Sequence, residues 1–112
     1  MNTPIPVDVS VQEVQEICQS AGDVLLLDCR QPEEHQIVHL PGATLIPMDQ
    51  LAQRLSELSG REQERIVVYC HHGMRSEMVA HWLREQGFAS AQSMVGGIDA
   101  WSTHIDPQLP RY

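Results

Sequence analysis

Two short runs of consecutive apolar residues constrain the fold of this chain more than any other feature. They occupy residues 24–27 and 66–69. Strands covered on one face alternate apolar and polar residues, whereas unbroken apolar runs are typical of strands buried on both faces. Strands that alternate with helix-like segments, as here, predict an α/β domain with a mostly parallel sheet.

The remaining segments fit this alternation. The pattern predicts strands at 7–9, 24–27, 43–47, 66–69 and 91–95, and helices at 11–21, 48–58 and 76–86, with short helices after Pro32 and after Gly97. Ser10 and Glu13 predict a capping box at the first helix, which Gly22 is expected to end. We expect one domain over 1–112, with a five-stranded sheet, helices on both faces, a core over 7–104 and an extended tail over 105–112.

The charge and cysteine content exclude several classes of partner. Fifteen acidic residues against seven arginines and no lysine give a formal net charge of -8, which disfavours nucleic acid and anionic membranes. No apolar run approaches the ~20 residues that span a bilayer, and residues 1–6 do not resemble a signal peptide. Three cysteines without CxxC spacing argue against a disulfide framework or a zinc site. We therefore expect a cytoplasmic protein without a metal.

Cys70 ends the second apolar run, directly before a predicted helix. Sites in open α/β sheets form beyond the carboxyl ends of the strands, and the free amide groups of a helix N-terminus can point at an anion. The anion here would be the cysteine sulfur itself. The helix N-terminus, His71, His72 and Arg75 would all favour thiolate over thiol, and Gly73 would let the loop turn tightly.

Other interpretations of Cys70 remain open. Buried, inert cysteines are common, but they do not need the glycine and arginine that follow here. Metal binding by Cys70, His71 and His72 would require distortion, because adjacent residues do not readily share a metal. The spacing Cys70 to Arg75 is Cys-x4-Arg, one residue shorter than the Cys-x5-Arg loop of cysteine phosphatases. The shorter loop favours a carrier of one extra sulfur atom over a phosphatase or an arsenate reductase.

Four motifs in order make the chain resemble single-domain, rhodanese-like sulfurtransferases over essentially its whole length. They are Leu26-Leu27-Asp28-Cys29-Arg30 with Pro32-Glu33-Glu34, His39-Leu40-Pro41-Gly42-Ala43 with Ile46-Pro47, Val67-Val68-Tyr69-Cys70-His71-His72-Gly73-Met74-Arg75-Ser76, and Gly96-Gly97-Ile98-Asp99-Ala100-Trp101. The ending, from Ile105-Asp106-Pro107 to Pro110-Arg111-Tyr112, also resembles rhodanese domains fused to enzymes that adenylate sulfur-carrier proteins. The chain departs from the family at Val38, usually glycine, and at Cys29, usually a small aliphatic residue.

The resemblance implies a function for the loop. It implies that Cys70 carries sulfane sulfur as a persulfide, taken from thiosulfate or from a protein or low-molecular-weight persulfide, and passes it to a thiol or cyanide-like acceptor. The anion cradle would consist of His71, His72, Gly73, Met74, Arg75 and Ser76. No cofactor is expected, and a sulfur-carrier or persulfide-donating protein is a further candidate partner. A binding or regulatory module of the same fold, without catalysis, is the alternative.

The end of the neighbouring strand completes the expected site. The resemblance implies that Asp28 and Arg30 brace the active-site loop, although a simple strand-end charge pair is the alternative. Cys29 would lie close enough to Cys70 to react with its persulfide, or it merely replaces a small apolar residue. His35 carries no functional signal in the sequence. Cys18 and Trp101 are expected in the core.

Overall fold

The fold is a single parallel sheet with helices on both faces, as a computed structural model of the chain shows for residues 5–20 and 23–112. Its strands lie in the order β1-β5-β4-β2-β3, and each described pair is parallel. The strands are β1 (Asp8–Val9), β2 (Val24–Asp28), β3 (Thr44–Leu45), β4 (Arg65–Tyr69) and β5 (Ala91–Met94). The helices are α1 (Val11–Gln19), α2 (Pro32–Ile37), α3 (Leu51–Arg54), α4 (Met74–Glu85) and α5 (Gly97–His104). The predicted fold class is confirmed.

The two apolar runs lie side by side at the centre of the sheet as β2 and β4. Successive side chains of a strand point to opposite faces, so each run contributes to two cores. Ile66 and Val68 pack with buried side chains of α3 and α4 on one face. Val67 and Tyr69 pack with side chains of α1 and α5 on the other. Burial on both faces explains why both runs consist of apolar and aromatic side chains.

Several boundaries differ from the predicted ones. The predicted helix at 48–58 is α3 flanked by two 3₁₀ segments, Met48–Gln50 and Leu55–Leu58. Its apolar residues lie three, four and three positions apart, and a spacing of three fits a 3₁₀ turn as well as an α-helix. Strand β5 ends at Met94, one residue early. The capping box of Ser10 and Glu13 is confirmed, whereas Ala21 and Gly22 lie outside the described residues.

Two core predictions need correction. Cys18 is exposed, because the last turn of α1 lies at the surface and even Ile17 is only partly buried. Trp101 is partly buried and packs against the edge of the second core. Within 5–20 and 23–112, no helix is both long and apolar enough to cross a membrane.

The C-terminal tail turns back towards the domain instead of running extended. Leu109 donates its amide to the Asp106 carbonyl at 3.1 Å, which closes a turn. The Arg111 guanidinium then binds the Asp99 carboxylate on α5 at 2.8 and 3.2 Å. This path brings Tyr112 to the carboxyl edge of the sheet, next to the segment that follows β4.

The N-terminus of α5 fixes the backbone just after β4. The amides of Ile98 and Asp99 donate to the carbonyls of Cys70 and His71 at 2.9 and 3.1 Å. The preceding residue, Gly97, has φ +63°, and a Cβ there would lie 2.5 Å from the Cys70 carbonyl oxygen and closer still to that of His71. Only glycine allows this approach.

We predict that Gly97→Ala destabilises the protein much more than Gly42→Ala. Both residues have positive φ, but a Cβ at Gly42 meets nothing within 4 Å. The backbone cost alone, about 1–2 kcal/mol, applies to both variants. Gly97→Ala adds a steric overlap that costs about 1–3 kcal/mol more. Urea unfolding measures both free energies, and equal losses would show that the contact with Cys70 and His71 is not tight.

Candidate active site

Cys70 is the first residue after β4 and is 1% exposed at the base of a tight loop. Its Sγ accepts hydrogen bonds from the amides of Gly73 at 3.0 Å and Ser76 at 3.4 Å. Gly73, with φ +108°, is the N-cap of α4, which begins at Met74, two residues earlier than predicted. The first amides of a helix lack partners within the helix and carry its positive dipole end. They therefore stabilise the sulfur as an anion.

Ser76 ties this loop to the neighbouring strand. Its side chain is fully buried, and its hydroxyl donates to the Gly73 carbonyl at 3.1 Å. Its Oγ lies 2.7 Å from Ser93 Oγ on β5 and accepts from the Cys70 thiol at 3.5 Å. A protonated Cys70 thus has an acceptor, and the thiolate has two amide donors. Both states of the sulfur are accommodated without movement of the loop.

Arg75 is paired with Glu34 of α2. Its two terminal nitrogens donate to the two carboxylate oxygens at 2.8 and 3.0 Å. These bonds lower the pKa of Glu34 to about 2, and they raise the pKa of Arg75, which the charge of Cys70 raises further. Arg75 therefore interacts electrostatically with the sulfur, but Glu34 neutralises much of its charge. In the sequence, only the position of Glu34 in the Pro-Glu-Glu motif hints at this pairing.

Asp28 and Arg30 form a fully buried ion pair at the end of β2. Arg30 donates to the two Asp28 oxygens at 2.9 and 2.8 Å and to the Val38 carbonyl at 2.6 Å. Burial alone would raise the pKa of Asp28, but the hydrogen bonds from Arg30 and His35 outweigh it and lower that pKa. Val38 has an extended backbone, with φ -163°, which any residue can adopt. This position therefore does not need the glycine that rhodanese-like proteins usually have there.

His35 and Tyr69 extend this buried network. Nδ1 of His35 donates to Asp28 at 2.8 Å, and the Tyr69 hydroxyl donates to the same oxygen at 3.3 Å while accepting from the Leu40 amide at 3.1 Å. The sequence offered no functional signal for His35, because its partner Asp28 lies seven residues earlier in a different element, so that no helix or strand spacing relates the two. The side chains of Asp28 and Arg30 thus brace residues 35–40. Asp28 also meets the hydroxyl of Tyr69, directly before Cys70, and Arg30 binds Tyr112, which stacks on His71 of the loop.

Tyr112 connects that network to the loop. Its hydroxyl accepts from Arg30 at 2.7 Å and donates to Glu34 at 2.7 Å. Its ring stacks on His71, with centroids 3.9 Å apart and planes within 8°. His71 also stacks on His72, and burial together with the charge of His72 lowers the pKa of His71. The tail resemblance was the one sequence signal that included Tyr112.

Cys29 follows Asp28, which lies opposite Tyr69 in the sheet register, so Cys29 is level with Cys70 on the adjacent strand. It is fully buried, and its thiol donates to the Tyr69 carbonyl at 3.5 Å. Burial and the nearby Cys70 raise the pKa of the Cys29 thiol, which keeps it protonated. The reaction between Cys29 and a Cys70 persulfide stays a prediction, and this protonation slows it.

A cleft of about 430 Å³ lies beside the loop. His72, Gly73 and Met74 line it together with the acidic residues Asp8 and Glu77. His72 and Met74 are strongly exposed, at 65% and 82%. Within the described part of the chain, no three His, Cys, Asp or Glu side chains are placed to hold one metal ion.

The family model of the rhodanese-like domain matches residues 10–104. The chain belongs to the rhodanese-like domain family. A Staphylococcus aureus rhodanese-like domain protein superposes with a TM-score of 0.79 at 28% identity, over 94% of this chain and 97% of that one. The predicted family resemblance is confirmed.

Two curated relatives are similar to this chain over different shares of their own length. It is 33% identical to the adenylyltransferase and sulfurtransferase MOCS3 of Arabidopsis thaliana, over 93% of this chain but only 25% of that protein. It is 35% identical to the thiosulfate sulfurtransferase GlpE of Coxiella burnetii, over 73% of this chain and 75% of that protein. The chain thus spans about a quarter of the first relative and three quarters of the second.

The bond between Glu34 and Arg75 predicts a pH dependence of stability. Because the folded pKa of Glu34 is lowered from 4.5 to about 2, its charged form stabilises the fold above pH 4.5, and this stabilisation is lost as the pH falls towards 2. The free energy of unfolding of the wild type should exceed that of Glu34→Gln above pH 5, and the difference should shrink below pH 4.5.

The matched control is Glu57→Gln, which removes the carboxylate of the exposed Arg54–Glu57 pair. Exposed pairs stabilise proteins little, so this variant should differ little from the wild type at any pH. Denaturant titrations at several pH values measure all three proteins. A Glu34→Gln difference that does not change between pH 6 and pH 2 would contradict the account of this ion pair.

Proposed function

We propose that this protein is a sulfurtransferase that carries sulfane sulfur as a persulfide on Cys70. The observation that carries the proposal is the pair of amide hydrogen bonds from Gly73 and Ser76 to Sγ. A thiolate held by amide donors is a competent nucleophile without a metal or an organic cofactor. Membership in a family that includes a protein named thiosulfate sulfurtransferase supports this function.

The first half of the reaction loads the sulfur. The Cys70 thiolate attacks the outer sulfur of a donor, either thiosulfate or a persulfide. A new S–S bond forms on Cys70 as the S–S bond of the donor breaks, and sulfite or a thiolate leaves with the bonding electrons. The product is the anionic persulfide Cys70–S–S⁻. The amides at the start of α4 that stabilise the thiolate would then stabilise this anion.

The second half of the reaction passes the sulfur on. A thiolate or cyanide-like acceptor attacks the outer sulfur of the persulfide, and the Cys70 thiolate leaves, which regenerates the starting state. Cys70 itself is 1% exposed, so direct access to its Sγ is narrow. A persulfide would extend the reactive atom by about 2 Å towards the mouth. That extension makes transfer to a larger acceptor, such as a sulfur-carrier protein, geometrically easier than attack on Sγ.

Cys70→Ser should reduce sulfur transfer to background with both thiosulfate and a low-molecular-weight persulfide, since the hydroxyl is a poor sulfur nucleophile. Cys29→Ser and Cys18→Ser are the controls, because Cys29 is buried beside the site and Cys18 is exposed far from it in sequence. Both controls should keep turnover. Steady-state rates test this, with unfolding curves to show that each variant is folded.

Two results would contradict the proposed function. Full turnover by Cys70→Ser would show that another group carries the sulfur. No turnover by the folded wild-type protein with either donor class would instead indicate a binding module that retains the cysteine without catalysis.

Thiosulfate should be a weak donor at low salt, with turnover rising as moderate salt is added. The net charge of -8 repels a dianion at long range, and salt screens that field, with a Debye length near ~10 Å at 0.1 M. Glu34 neutralises much of the Arg75 charge that would attract the dianion. The measurement is kcat/KM for thiosulfate across ionic strength at pH 7. A high value at low salt that falls steeply with salt would show that a local positive field dominates instead.

A further inference from the structure

Tyr112 stacks on His71 of the loop that follows Cys70, at the end of a tail that turns back from α5. We propose that Tyr112 is a specificity-determining residue that disfavours small inorganic dianions as donors and favours persulfides of lower charge. This inference rests on the proposed sulfur transfer at Cys70 and names the donor class of that same site. It is based on two contacts of Tyr112: the ring stacks on His71, and the hydroxyl binds Arg30 and Glu34.

The hydroxyl adds two hydrogen bonds to the contact that the ring makes with His71. It accepts from Arg30 and donates to Glu34, both at 2.7 Å. Arg30 is fully buried and already bound to Asp28, so it is a fixed donor. Glu34 is the carboxylate that pairs with Arg75. The phenol therefore joins the Asp28–Arg30 pair at the end of β2 to the pair between Glu34 of α2 and Arg75 of α4.

The ring covers His71. The two rings are nearly parallel, with centroids 3.9 Å apart. The ring of His72 also stacks on His71, with centroids 3.9 Å apart and an interplanar angle of 28°. His71 Nε2 is buried and has no hydrogen-bond partner among the described residues. A protonated Nε2 would be a buried charged donor without an acceptor, which is costly. The ring thus favours the neutral imidazole, and the pKa of His71 is lowered chiefly by its burial.

The charged and titratable groups around His71 come from every element that meets at the mouth. His72 and Arg30 oppose a positive charge on His71, whereas Asp99 and Glu34 favour one. Arg111 offsets the carboxylate of Asp99 by binding it. The charged groups that act on the imidazole thus come from the loop (His72), α2 (Glu34), α5 (Asp99) and the segment after β2 (Arg30), and the Tyr112 ring stacks on it.

The consequence is a mouth whose cations are covered or paired. Arg75 is bound to Glu34, Arg30 is fully buried and bound to Asp28, and His71 is held neutral under the ring. A dianion that approaches the sulfur gains little attraction from them. A persulfide carries at most one negative charge on its reactive sulfur, so it depends less on electrostatic attraction by these cations. The ring therefore sets the preference between the two donor classes.

The test compares Tyr112→Ala with Tyr112→Phe. The alanine variant removes the cover from His71, whereas the phenylalanine variant keeps the ring and removes only the hydroxyl. In Tyr112→Ala, the NMR titration of His71 should shift upward towards the ordinary histidine value of about 6.5. At pH 6, kcat/KM for thiosulfate should rise at least about fivefold, the effect of a pair of unit charges about 4 Å apart in water, because thiosulfate carries two charges. Turnover of a low-molecular-weight persulfide should change by less than about twofold.

Tyr112→Phe should keep the His71 titration and the donor preference of the wild type while lowering the free energy of unfolding, because Arg30 loses an acceptor. His71→Ala supplies a double-mutant cycle. In that background, Tyr112→Ala should no longer change thiosulfate turnover, since the imidazole that it uncovers is gone. A merely structural Tyr112 would lower stability without moving the titration or the donor ratio.

Three results would overturn the inference. They are an unmoved His71 titration in Tyr112→Ala, an unchanged ratio of thiosulfate to persulfide turnover, or the same increase in thiosulfate turnover when His71 is alanine. Failure of the proposed function would look different. In that case no variant would turn over either donor, although the NMR titration of His71 would still report whether Tyr112 covers it.

Discussion

Two backbone hydrogen bonds, from the amides of Ile98 and Asp99 to the carbonyls of Cys70 and His71, hold the geometry of the site. They turn those carbonyls towards the N-terminus of α5. The amides of Gly73 and Ser76 donate hydrogen bonds to the Cys70 sulfur. Because Gly97 must pack directly on the same carbonyls, the second glycine of the Gly96-Gly97 pair is a condition for the loop that follows β4.

The charges around this loop are almost all paired. Arg75 binds Glu34, Arg30 binds Asp28, and Arg111 binds Asp99. The groups left to stabilise a sulfur anion are amides of the loop, and hydrogen bonds to a charged group contribute about 1.5–3 kcal/mol each. A site built on amides can hold an anion that forms in place, whereas it attracts a free dianion from solution only weakly. That difference suits a covalently attached persulfide.

Local patterns in the sequence predicted the framework but not the pairing within it. The apolar runs at 24–27 and 66–69 predicted two buried strands, and Cys70 at the end of one marked the site, because both signals depend on near neighbours. The partners of Glu34 and Tyr112 come from distant segments, and the partner of His35 lies seven residues away in another element, so none follows a spacing rule. The predicted start of α4, residue 76, is two residues too late, because the helix is capped by Gly73 and the polar residues around Gly73 hide that role.

The most direct test of the account is to locate the transferred sulfur. The folded protein is treated briefly with a sulfane donor, trapped with an alkylating reagent, digested and mapped by mass spectrometry. The account predicts one added sulfur atom on the peptide that contains Cys70 and none on those of Cys18 and Cys29. Sulfur on Cys18 or Cys29 in place of Cys70, or no added sulfur while the loop is intact, would contradict it.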